Sequence, residues 1–362
     1  MLQILLGIGA GILLGTATII PGLHINLISA LMIANAGILS PELSAVAIFV
    51  MAITATFMDF LPSIFLGAPE SETAMSVLPA HRLLLKGKGY EAAFLTTMGS
   101  LFGLCSAAIL FPAAIFIYPL VFKQTDGIMH WLLLAALLLF IWRENSWRKK
   151  FSAIIIIILA GSLGFIALDK LEEPLLPLFS GLFGMSTIAS SIASKADIPM
   201  QRISAVKMPK LWLKNSAIGA FFGAIINIFP AIGPAQAAAT AGLFTTSSKK
   251  GYLLTVSAVN TAAMALSLAA LYSINRGRNG AIEALGSFAE ININTALTLI
   301  GAALLAVSIA IPLKMLLAKT AAKLVTKIPY RSLCILTMCI IIAAVTIISG
   351  WKGLLVLATG TA

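Results

Sequence analysis

His24 and Asn26 stand just past a proline-glycine pair, Pro21-Gly22, in a run otherwise apolar enough for lipid. Proline removes a backbone donor and clashes with the preceding turn, and glycine loosens the chain, so a helix does not pass through unbroken. A helix that restarts after such a break presents free N–H groups and a partial positive charge. That end binds anions through backbone alone. An imidazole and an amide beside it add hydrogen bonds for a ligand or a coupling ion. A second break lies in NIFPAIGPAQAAA, Asn227 to Ala239, where Pro230, Gly233, Pro234 and Gln236 repeat the theme. The plainer alternative for either break is a kink with small residues that let helices approach. Two matching breaks favour a binding site.

Two polar loops carry charge. LGAPESE holds Glu70 and Glu72, and NRGRNG holds Arg276 and Arg278. Arginine suits paired hydrogen bonds to carboxylate or phosphate. The loops are read as substrate-contacting or gating elements, against ordinary solvated charge. Asp59 lies late in an apolar run, where an ionisable group is a functional candidate, here for Na⁺ or H⁺ coupling. An interfacial Asp59 is the alternative, since Arg82, Lys86 and Lys88 follow. Asn260, Asn292 and Asn294 are expected to bond between helices. His130, beside Trp131, reads as interfacial, and Lys319, Lys323 and Lys327 as one face of a basic interfacial helix. Cys105, Cys334 and Cys339 lie in apolar runs and read as buried hydrophobes. No metal site is expected, and no cofactor beyond a coupling ion. The chain has no G-x-x-x-x-G-K-[ST] for ATP and no H-E-x-x-H, and Asp59 has no acidic partner for paired-carboxylate chemistry, so an enzyme is not expected.

These residues need elements to hold them. Of 362 residues, 60% are hydrophobic and 10% charged, whereas a soluble domain carries roughly 25% charged residues. Apolar runs recur at about 2–20, 22–38, 42–66, 90–118, 129–142, 151–168, 175–194, 215–229, 231–246, 251–274, 281–313 and 332–350. The pattern predicts an all-α polytopic membrane protein, without a signal-peptide pattern at its N-terminus. Counting crossings from Met1 places 19 of the 24 basic residues on one side, Lys314 among them. That side is read as cytoplasmic and both termini as outside, in the cell membrane. The same rule explains the net charge of +11 without nucleic acid.

The two breaks align at an offset of 209 residues, and so do the two polar loops. The reading is two repeats: residues 1–194, with extra helices, and 195–362. Five crossings lie between the breaks, so the halves are inverted. Each half contributes a Pro-Gly-broken re-entrant or discontinuous hairpin, the common plan of secondary transporters.

Phe57 to Gly103, FMDFLPSIFLGAPESETAMSVLPAHRLLLKGKGYEAAFLTTMGSLFG, resembles the large membrane subunit of the tripartite tricarboxylate transporters, the TctA family, and YSINRGRNGAIEALGS, Tyr272 to Ser287, and the second break look like its shorter, mostly archaeal stand-alone branch. The resemblance rests on Pro21-Gly22, Ala68-Pro69-Glu70, Leu78 to His81, Lys86-Gly87 and Ala92-Ala93, and covers most of the chain. It implies a permease for a citrate-like anion, with a small membrane subunit and a periplasmic binding protein as partners. Tripartite members read P-G-L-G-P at the first break; this chain reads P-G-L-H-I-N and is shorter. Substrate, partners and homo-oligomerisation are therefore left open. The runner-up is a translocase of a polyprenyl-phosphate lipid, from the similarity of the Pro-Gly hairpin to the DUF368 type. Its Ser-Gly-Gly-Thr is absent here.

Overall fold

A computed structural model describes residues 1–20, 24–34, 40–67, 72–142, 144–171, 174–186, 188–189, 198–229, 233–245, 248–327 and 330–362. The described residues are helical, with no strand. The first half runs α1 (Leu2–Ala17), α2 (Ile25–Ala34), α3 (Pro41–Met58), α4 (Phe60–Phe65), α5 (Ala74–Leu84) and α6 (Gly89–Thr125). Then come α7 (Met129–Trp142), α8 (Trp147–Lys170) and α9 (Leu175–Phe179), the last continuing as a π-turn over Ser180–Met185. The second half runs α10 (Trp212–Ile225), α11 (Pro234–Gly242), α12 (Lys249–Ile274), α13 (Gly280–Phe288), α14 (Ile293–Leu324) and α15 (Tyr330–Thr361). Six helical stretches among the described residues are long and apolar enough to span a membrane.

Short polar side chains start the second-half helices where they are needed. Ser248, Asn279 and Asn292 accept from the backbone N–H groups of Gly251, Ile282 and Thr295 at 3.0, 3.0 and 2.9 Å, each satisfying an orphan donor of a first turn. The apolar run 281–313 is thus two helices, not one. Asn292 is an exposed cap rather than an interhelical partner. Ser40 caps α3, with Pro41 at the first helical position. Gly87, in the Lys86-Gly87 pair, has φ +73, and a Cβ there would sit 2.8 Å from Met200 O. Its N–H bonds Leu84 O and turns the chain from α5 into α6.

The helices α3 and α12 form the centre. The most apolar window is 94% buried within the protein for α3–α4 and 100% for α12. A helix apolar all round belongs in such a core. The pairings recur between halves: α1 packs on α3 as α10 packs on α12, and α14 packs on α3 as α6 packs on α12. Glycine stripes set the approach. A Cβ at Gly11 would lie 2.7 Å from Ala47 O, and one at Gly223 2.6 Å from Val259 O. Gly99 and Gly103 of α6 approach Leu254 and Ala258 of α12 as closely. Without a hydrophobic force between helices in lipid, such small-residue contacts carry the packing. On α14, Ala302, Ala303 and Ala306 are buried instead. The helices α7 and α8 expose most of their length, and α15 packs on α8 and α9. Cys105 and Cys339 are exposed on helix surfaces rather than buried; Cys334 is buried.

Candidate transport site

Both polar loops fold back onto the helices that precede them, the first on α4 and the second well inside α12. After α4 the chain returns so that Thr73 Oγ1 lies 2.8 Å from Ser63 Oγ. After α12, Asn275 adopts a left-handed φ of 49° that ends the helix. The loop then brings Asn279 Nδ2 to 3.6 Å from Met264 Sδ, well inside α12. At this level α3 and α12 touch through Thr261 Oγ1, which donates to Thr56 Oγ1 at 2.9 Å.

The second break meets the second loop here. Arg278 Nη1 donates to Ile226 O at 2.9 Å, satisfying a carbonyl left orphaned where α10 stops. Tyr118 of α6 donates its hydroxyl to Ala224 O at 2.8 Å. Asn227 Nδ2 donates to Gly223 O and Ala263 O at 3.2 and 3.1 Å. The first break meets both loops. His24 Nδ1 accepts from Asn26 N–H at 3.2 Å, capping α2. An acceptor Nδ1 on a neutral ring places the proton on Nε2, which faces Glu72 Oε2 at 3.6 Å. Asn26 Oδ1 accepts from Ala281 N–H at 3.2 Å, at the start of α13. The charge of Glu72 reaches Arg278. Burial pushes the Arg278 guanidinium down to about 10, while Glu72 and Tyr118 hold it up. It stays charged at neutral pH.

His24, Asn26, Glu72 and Arg278 therefore share one cluster. Arg276 does not. It is exposed, its guanidinium 5.0 Å above the Phe122 ring. Gly233 and Pro234 open α11, and Gly233 N–H donates to Gln236 Oε1 at 2.9 Å; that carbonyl oxygen serves its own helix start. Pro21, Gly22, Glu70 and Pro230 lie outside the described residues.

Asp59 is buried at the α3–α4 junction, where its Oδ1 accepts from Thr18 Oγ1 at 2.7 Å. Close to it is Lys314. The sequence places Lys314 in a cytoplasmic basic group, but α14 continues to Leu324, so Lys314 sits inside the bundle with no exposed surface. Lys319 and Lys323 ride on the same spanning helix rather than on a separate interfacial one. Burying an ammonium costs several kcal/mol even after relaxation, so Lys314 is not incidental.

Sequence reasoning also missed Tyr118 and Asn227, and it assigned Asn260 an interhelical bond. Instead, both amide atoms of Asn260 are buried without a hydrogen-bond partner among the described residues, as is Asn227 Oδ1. The two asparagines flank the same turn of α12. An unpaired buried polar group costs about 1–3 kcal/mol. Asn260→Ala is therefore expected to raise thermal stability in detergent, by about 1 kcal/mol, and to reduce transport. Unchanged transport with a raised melting temperature would reduce Asn260 to a packing residue.

One comparison decides the family. Residues 1–362 match the model of the tripartite tricarboxylate transporter TctA family. The chain belongs to that family. TctA proteins are transporters, not enzymes, and work in tripartite systems with a binding protein and a small membrane subunit. An uncharacterized protein of Methanocaldococcus jannaschii is 29% identical over 296 residues, covering 79% of this chain and 74% of that protein. No solved structure matches.

Proposed function

We propose that the chain is a secondary transporter for carboxylate anions, tricarboxylates foremost, working by alternating access and driven by an ion gradient. The observation that carries this reading is convergence. Residues from both break regions, both polar loops and α6 meet around one half-buried arginine, Arg278. The arrangement offers a substrate carboxylate a charged fork beside the restarted helix α2, whose N-terminus favours anions. Glu72 balances Arg278 when no anion is bound. A substrate carboxylate displaces Glu72, and the loop of Glu72 moves with it, linked through His24 to α2. With the halves inverted, the two breaks open toward opposite sides in turn. In this reading the chain sits in the cell membrane with both termini outside and most basic residues cytoplasmic.

The test is uptake of radiolabelled citrate into proteoliposomes holding this chain alone. The expected result is saturable uptake abolished by an ionophore that collapses the driving gradient. Uptake only after adding a binding protein and a small subunit would place the chain in a tripartite assembly. Transbilayer movement of a polyprenyl phosphate with no carboxylate uptake would overturn the proposal in favour of lipid translocation.

A further inference from the structure

A lysine with no exposed surface in a membrane helix calls for a function. Lys314 Nζ donates to Thr96 Oγ1 of α6 at 3.1 Å. It also lies 6.0 and 5.4 Å from the ring centres of Phe57 and Phe60, and aromatic faces attract a cation. The charge of Asp59 acts on it. The helices packed on α14 are α1, α3, α4, α6 and α12. Asp59, at the junction of α3 and α4, is the titratable group they bring to Lys314. The side chains of α1 include none. Of the titratable residues of α12, Lys249, Lys250 and Tyr252 lie in its first turn, where Lys250 pairs with Glu91 of α6, and Tyr272 lies in its last turn.

The pair is tied to the moving parts. Thr18, past the end of α1 and just before the first break, donates to Asp59 Oδ1. Ser63 Oγ donates to Asp59 O at 3.3 Å and also contacts Thr73, the neighbour of Glu72. A shift of the first break or of the Glu72 loop therefore reaches Asp59 and, through its field, Lys314. A tethered ammonium within the field of the carboxylate repels Na⁺.

We propose that Lys314 is the proton-coupling residue and that the coupling ion is H⁺, not Na⁺. Lys314 takes one proton onto Nζ when the site opens to one side and releases it to water on the other. Only an N–H bond forms and breaks. Asp59 is a positioning residue that holds the charged form. This inference rests on the transport reading above and deepens it.

The test uses proteoliposomes with a lumenal pH dye, radiolabelled citrate and Na⁺-free buffer. The wild type is expected to take up citrate under an inside-alkaline gradient, with lumenal acidification. Lys314→Met is expected to lose net uptake by about tenfold or more while keeping citrate–citrate exchange, which needs no net proton transfer. Retained exchange also shows that the variant folds. Thr96→Val keeps the lysine and removes its hydrogen bond, so the pH of half-maximal uptake is expected to move by about half a unit or more. Wild-type net uptake and acidification in Lys314→Met overturn the proposal. So does wild-type uptake that follows a Na⁺ gradient and ignores pH. Both results leave the transport reading standing. Should Lys314→Met lose exchange as well, an unshifted pH profile in Thr96→Val overturns the proposal. If the wild type neither takes up nor exchanges citrate, the transport reading falls, and this inference with it.

Discussion

Arg278→Gln is expected to reduce carboxylate transport by about a hundredfold or more, equivalent to roughly 2.7 kcal/mol. That lies within the roughly 1.5–3 kcal/mol of a hydrogen bond made by a charged group, here the one to Ile226 O. Three groups depend on this guanidinium. Ile226 O accepts its hydrogen bond at the second break, and Glu72 and Tyr118 share its field. Glutamine keeps a donor but loses the charge and the fork. Arg278→Lys keeps the charge without the fork and is expected to recover only part of the rate, because a point charge does not replace planar paired donors. Arg276→Gln is the internal control. Arg276 is exposed and stacked on Phe122, and exposed cation–π contacts are worth only about 0.5–1 kcal/mol. Initial rates of citrate uptake, normalised to folded protein, decide the matter. Equal losses at positions 276 and 278 would remove the cluster as the reason for the effect.

The second large effect concerns stability. Gly99→Ala puts a methyl group 2.5 Å from Leu254 O and onto Ser257 Oγ. The first is backbone and cannot swing aside, so α6 and α12 must separate. Overpacking of this kind costs about 1–3 kcal/mol, and more where backbone is the obstacle. Gly301→Ala, on α14, meets nothing within 4 Å. It is expected to gain about 0.5–1 kcal/mol from helix propensity. Thermal unfolding in detergent measures both. A Gly99→Ala protein as stable as wild type would mean that the α6–α12 seam is looser than described.

Helices, breaks and caps were legible because their signals are local. The caps Ser40, Ser248 and Asn292 sit beside the helix starts they close, but Asn292 reads in the sequence as an interhelical partner inside one run, which hides that start. The packing of α1 on α3 and of α10 on α12 recurs between the two halves. The C-terminal ends of α6 and α14 lie beyond the predicted 118 and 313. Proline stands at each point, Pro119 in α6 and Pro312 in α14, and α14 carries lysines beyond its proline. Such features usually end a spanning segment, and here tertiary contacts carry the helix through them. That error put Lys314 in a loop.

The site divides in the same way. The sequence alone determined that this is a polytopic helical membrane chain of the TctA type, with helices interrupted between α1 and α2 and between α10 and α11 and with two charged loops. Hydrophobic period, proline geometry and composition act over neighbouring residues, so one chain suffices to read them. Only the tertiary structure decided that Arg278 rather than Arg276 turns inward, that Asn26 reaches Ala281, and that Lys314 lies beside Thr96 and Asp59. Those contacts join residues roughly two hundred positions apart or more in most cases, across helices whose rotation is set by glycine seams and burial. Nothing local encodes which polar residue of an apolar helix faces the centre. Packing selects it, and only then does its charge acquire a partner.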